Sequence, residues 1–125
     1  MPADFTIDTE RETVFSEATG VFTLGDALSH VDRLIGHPDF KPVFNQIIDF
    51  RQATGMALSC DDVRNLAKQN IFSADSRRPF LVTPGVQFGL GRVFATYREL
   101  EVEQGIRIFT DANEARSSVS RSETT

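Results

Sequence analysis

The chain reads as an α/β domain in the order β-β-α-β-α-β-α-β-α, a mostly parallel central sheet with helices packed on it. Short apolar runs rich in Ile, Val and Phe recur at Phe44–Phe50, Phe80–Thr83 and Ile106–Phe109. Stretches with helical spacing separate them. Alternation of this kind favours parallel strands joined by right-handed crossovers.

Asp4–Asp8 and Arg11–Ala18 read as two short strands around a turn at Asp8-Thr9-Glu10. Val14, Ser16 and Ala18 share one face of the second, and Glu and Thr take the other, as in a sheet with one solvated side. The pair suits a sheet edge, where antiparallel pairing is common, and Gly20 marks the break that follows. Thr23 then caps a helix with the stripe Leu24, Ala27, Leu28, Val31, Leu34 and Ile35. His30 falls on its polar side with Asp26, Asp32 and Arg33, and Gly36 and Pro38 stop the helix.

The strand Phe44–Phe50 gives way to a polar loop at Arg51–Leu58 and a helix from about Cys60 to Asn70, with Val63, Leu66, Ala67 and Ile71 inward. Ser73–Pro79 reads as a polar loop ending in Arg77-Arg78-Pro79. Phe80–Thr83 is a buried strand stopped by Pro84-Gly85. A third helix runs from near Val86 to Gln104 on the stripe Leu90, Val93, Phe94, Tyr97 and Leu100. Ile106–Phe109 is the last strand, and Asp111 with Glu114 forms a capping box for a final short helix. The Ser/Thr-rich sequence from Ser117 predicts a fraying end. One domain over residues 1–119 and a flexible tail over 120–125 are expected.

The 125 residues are near the commonest domain size, and with 40% hydrophobic residues and eleven Phe they can bury a core. A net charge of −5 argues against nucleic acid and anionic membrane surfaces as partners. Cys60 is the one cysteine, which fits a reducing cytoplasm. No apolar run reaches the roughly 18 residues of a membrane span, and the N-terminal residues lack the pattern of a secretory signal. The expectation is a cytoplasmic protein.

The stretch Phe44–Ala67, a strand, a polar loop and a capped helix, is where open α/β sheets place their ligands. His30 and His37 are seven positions apart without ligand partners, which predicts surface histidines and no metal. Gly85, Gly89 and Gly91 match no phosphate-loop pattern and suit a close helix–sheet approach. Arg92, one turn into that helix, could face a neighbouring site. Cys60 stands at a helix start, but Asp61 and Asp62 oppose thiolate formation, and no catalytic set or cofactor motif emerges. Ser59, Asp61 and Asp62 suit a helix cap and first turn. A phosphorylated Ser59 is the functional alternative, with Arg51, Arg77 and Arg78 offsetting the charge if they share that end of the sheet.

The element order and the run Ile47-Ile48-Asp49-Phe50-Arg51, followed by loop and helix, resemble the SpoIIAA-like STAS (sulfate transporter and anti-sigma-factor antagonist) superfamily. Phe88-Gly-Leu-Gly-Arg-Val-Phe94 and Ile108-Phe-Thr-Asp-Ala-Asn-Glu-Ala115 look like a subgroup of small bacterial proteins of unassigned function. The resemblance spans Phe5 to Val119 and implies a STAS-like fold. In the anti-sigma-factor antagonists, a serine in an Asp-Ser-Ser-Gly-like turn opens the second helix, and its phosphorylation by a partner kinase switches partner binding. Leu58-Ser59-Cys60-Asp61 occupies that stretch here, with Leu58 in place of Asp and no glycine. A related branch resembles lipid-binding SEC14 domains.

The leading expectation is a non-enzymatic regulatory or interaction domain. It would meet a regulatory or kinase-like protein through Thr54, Ser59, Cys60, Asp61 and Asp62, with Ser59 as a phospho-switch and Asp49, Arg51 and Arg92 in support. A module for a small apolar ligand or lipid, seated between sheet and helices, is the alternative. An enzyme would require Asp49, Arg51, Ser59, Arg77 and Arg92 to converge in a cleft. An exposed edge strand leaves room for a homodimer.

Overall fold

In the computed structural model, which describes residues 3–68, 71–100 and 105–120, nine elements follow one another along the described chain. They are β1 (Ala3–Asp8), β2 (Thr13–Thr23), α1 (Leu24–Ile35), β3 (Asn45–Ala57), α2 (Cys60–Leu66), β4 (Arg78–Leu81), α3 (Val86–Leu100), β5 (Ile106–Phe109) and α4 (Ala112–Ser120). The strands form one sheet in chain order, with β1 antiparallel to β2 and every other neighbouring pair parallel. The predicted α/β order is the observed one. Helices α1, α2 and α3 cover one face of the sheet, and α4 packs on the other, against β3, β4 and β5.

Both long strands exceed their expected lengths. β2 does not break at Gly20; it continues to Thr23, and Gly20 takes a positive φ of 63° beside register shifts in the β2–β3 ladder. That is the backbone freedom a bulge requires. β3 likewise runs past Phe50 to Ala57, so Arg51–Ala57 is strand rather than loop, paired with Thr19–Thr23. The apolar signal fades there because one side of this extension is open to solvent. Ladder hydrogen bonds to β2, rather than burial, hold it.

β4 starts at Arg78, two residues before its predicted start, because Arg78 N donates to Gly105 O (2.8 Å) and the Arg78 side chain is sequestered inside. α1 is capped by Thr23 as expected, with Asp26 completing a capping box, but its buried face is turned from the predicted stripe. Leu28 and Ile35 are exposed while Ala27 and Leu34 are buried, and His30 faces the sheet. α2 ends at Leu66, short of the predicted Asn70, which lies outside the described residues. On α3 the best-buried positions are Gln87, Gly91, Ala95 and Arg98, one turn apart, rather than the larger residues of the predicted stripe. Its predicted end, residues 101–104, lies outside the described residues.

α4 opens as predicted, with Asp111 Oδ1 accepting from the backbone N–H groups of Asn113 (2.8 Å) and Glu114 (3.1 Å). It does not fray at Ser117. Ser118 Oγ donates to Ala115 O (2.7 Å), and Arg77 Nη1 donates to Ser118 O (2.9 Å), so this turn is tied to the sheet. Residues 121–125 lie outside the described residues.

Candidate functional site

Strand alternation sends Val14, Ser16 and Ala18 of β2, and Gln46, Ile48 and Phe50 of β3, toward α1–α3. Two apolar clusters form on that face. One gathers Phe22, Phe50, Phe80 and Val82; the other gathers Val14, Leu34, Phe44 and Phe72. Between them lies a polar row. Gln46 Nε2 donates to Ser16 Oγ (3.1 Å), Arg78 Nε donates to Gln46 Oε1 (3.2 Å), and Ser16 Oγ meets His30 Nε2 at 2.9 Å.

Part of this chain of contacts orients itself. Arginine only donates, so Gln46 must turn its oxygen to Arg78 and its NH2 to Ser16. Between Ser16 Oγ and His30 Nε2 the direction follows the ring's tautomer: the hydroxyl donates when the ring proton is on Nδ1, and the ring donates when it is on Nε2. Burial, reinforced by the Arg33 and Arg78 charges and opposed by Asp4, lowers the His30 pKa from 6.5 to about 4. Phe5 stands edge-on to the ring at 5.4 Å. The Arg78 guanidinium lies 4.4 Å from the Phe72 ring centroid, and only 8% of the residue is exposed.

Beside the row, the layer between sheet and helices is not filled. A cavity of about 130 Å³ is walled by Phe22, Phe50, Met56, Leu58, Val63, Phe80, Leu90 and Phe94, with Ser16, His30, Gln46 and Arg78 bordering it. Phe22, Phe50, Phe80 and Phe94 form a continuous file of rings, centroids 5.4–5.8 Å apart. Gly91 lets α3 approach the sheet: a Cβ there would stand 3.0 Å from Ile108 Cδ1.

The residues singled out from sequence fall elsewhere. Ser59 caps α2 in a reciprocal box, its Oγ accepting from Asp62 N (3.0 Å) and its N donating to Asp62 Oδ2 (3.1 Å). Thr54, Ser59, Cys60 and Asp61 are exposed around this turn, and Arg64 is hydrogen-bonded to Asp61. Asp49 and Arg51 pair on the opposite face of the sheet, with Arg51 Nε and Nη2 donating to the two carboxylate oxygens (3.1 and 3.0 Å). Burial raises the Asp49 pKa, but hydrogen bonds and charge from Arg51, with Arg116 adding, hold it below its ordinary 3.8. They border a second, more polar groove of about 370 Å³ with Phe15, Ile47 and Arg116. Arg92 is exposed on α3. The set an enzyme would need is thus divided between the two faces of the sheet.

Neither histidine is a simple surface group. His30 belongs to the polar row, and His37 Nδ1 accepts from Asp39 N (3.1 Å) while its ring packs on Phe5. Among the described residues no group of three or more His, Cys, Asp or Glu could hold a metal ion. No described helix is long and apolar enough to cross a membrane. Ser16, Gln46 and Arg78 carried no motif. Their signal was a polar residue on the apolar side of an alternating strand.

No family model and no curated protein matches the chain. Among solved structures it is similar to the crystal structure of an uncharacterized protein from the DUF3478 family with a SpoIIAA-like fold, from Shewanella loihica PV-4. The two share 17% identity with a TM-score of 0.61, over 94% of this chain and 93% of that one. The likeness spans nearly the whole of both chains. The fold is SpoIIAA-like, as the sequence resemblance implied.

Proposed function

We propose that this domain binds a small ligand with an apolar body, held between the sheet and α1–α3. The observation that carries the reading is the cavity of about 130 Å³, whose wall is mostly apolar and whose polar border is the Ser16–Gln46–Arg78–His30 row together with Gln87 and Glu17. Protein interiors pack to crystal-like density, so a void of this size beside a hydrogen-bonded row is expensive unless a ligand uses it. Native mass spectrometry of the gently desolvated protein tests this. A co-purifying mass that disappears in a folded Ala27→Leu variant, whose side chain would enter the cavity, is expected. Identical single masses for both proteins, with no small molecule stabilising either, would sink the reading.

A second reading keeps the protein partner at the start of α2, favoured by the exposure of Ser59, Cys60 and Asp61 on its first turn and of Thr54 on β3. A phosphate on Ser59 would enter a turn already holding Asp61 and Asp62. Arg51 and Arg77, which could balance it, are engaged with Asp49 and with Ser118 O. Partner capture with wild type and Ser59→Asp tests the switch, and identical partner sets would remove it.

A further inference from the structure

Resting on the ligand-binding reading above, we infer that the cavity takes a small aromatic carboxylate, its ring among the phenylalanines and its carboxylate at the Ser16–Gln46–His30 end.

Size comes first. A dry cavity of about 150 Å³ holds benzene, so the roughly 130 Å³ here suits one ring and is too small to enclose the long acyl chain of a membrane lipid. The wall chemistry agrees. Phe22, Phe50 and Phe80 meet at steep angles, 75° and 59°, so they present ring edges as well as faces. Such a file accepts an aromatic guest in the edge-to-face contacts that aromatic pairs favour.

The charge of the head follows from what surrounds the polar end. Arg33 from α1 and Arg78 from β4 bring positive charge to this end, and Asp4 from β1, paired with Arg33 at 3.5 Å, opposes it. Arg78 has contacts beyond Gln46, so its part is the field rather than a vacant hydrogen bond. Gln46 Nε2 donates at this end, and the Ser16 hydroxyl does so when His30 carries its proton on Nε2 and gives that hydrogen bond to Ser16 Oγ. Glu17 also borders the cavity, but it is exposed and alternates toward the opposite groove. An anion with hydrogen-bond acceptors answers this arrangement, whereas a cation would meet the guanidinium of Arg78.

The test is a titration of the full chain with benzoate, toluene and dodecanoate, followed by backbone amide NMR shifts at neutral pH. Benzoate is expected to bind at least about tenfold tighter than toluene, the gain of one hydrogen bond to a charged group. Dodecanoate is expected not to bind. Ser16→Ala should weaken benzoate about tenfold and leave toluene unchanged, with a wild-type amide spectrum showing that the variant is folded. Equal affinity for benzoate and toluene, or binding of dodecanoate alone, overturns the aromatic-carboxylate inference and leaves a ligand cavity standing. Benzoate shifts that persist undiminished in folded Ala27→Leu place the binding elsewhere and overturn it too. No shift with any of the three probes overturns both this inference and the ligand-binding reading.

Discussion

His30 shows what a single residue's surroundings do to its chemistry. Its ordinary pKa of 6.5 is lowered to about 4, first by burial and then by Arg33 and Arg78. In the folded chain the ring stays neutral down to about pH 4, while in the unfolded chain it takes a proton below about 6.5. Unfolding therefore binds a proton in that window, and stability falls as pH drops through it, with the loss complete below about pH 4. Its full size is on the order of 3 kcal/mol. Urea denaturation of wild type and His30→Gln from about pH 7 to pH 4 checks this: the variant should lack most of the slope. Asp49 acts lower on the scale. Its depressed pKa contributes stability above the ordinary 3.8 that is lost only as pH falls below it. A wild-type slope already complete above pH 5 would contradict the assignment to His30. None of this was legible along α1, where Asp26, Asp32 and Arg33 put His30 on an apparently polar face. Ser16, fourteen residues upstream, supplies the contact that turns it inward.

At the scale of elements, caps and close approaches decide what each segment tolerates. Ser59 and Asp62 hold the first turn of a helix only seven residues long. Replacing Ser59 by Ala should cost about 1 kcal/mol, whereas Ser59→Asp, itself a good N-cap, should cost less than half as much. Chemical denaturation of both variants separates the cap from any signalling role, because only the cap follows this ranking. Glycines give a second contrast. A Cβ at Gly105 would lie 1.7 Å from the Ser76 carbonyl oxygen, a backbone atom that cannot step aside. A Cβ at Gly91 would meet only the tip of Ile108 at 3.0 Å. Gly105→Ala should therefore destabilise by more than about 3 kcal/mol. Gly91→Ala should change stability by less than about 1 kcal/mol, since helix propensity offsets the crowding. Thermal unfolding of the two distinguishes them, and equal losses would contradict this account. The contact between Gly105 and Ser76 belongs to the β4–β5 pairing and could not be read from the residues around either of them.

For the whole molecule, the balance between packing and the unfilled layer is the governing feature. Filling that layer with Ala27→Leu should raise stability by about 1 kcal/mol and abolish the binding proposed for the cavity. A folded variant of lower stability, or one that still binds, would mean that the space is occupied differently. Denaturant midpoints and ligand titration on the same sample measure both effects. The polar row sets the limit of such filling: Gln46 donates to Ser16 and accepts from Arg78, so apolar substitution of Gln46 breaks two buried hydrogen bonds at once.

Local chemistry determined the order of elements. Thr23, Ser59 and Asp111 start helices because their side chains reach backbone groups two or three residues away, and the period of the apolar residues tells strand from helix. Those interactions are complete within a few residues, so one sequence contains them. The length of β2 and β3, the facing of α1, and the cavity with its polar row were decided only by the tertiary structure. Thr19–Thr23 and Gln52–Ala57 remain extended because they pair with each other. Ser16, Gln46 and Arg78 are separated by 30 and 32 positions, and what each can do depends on neighbours that sequence spacing does not specify.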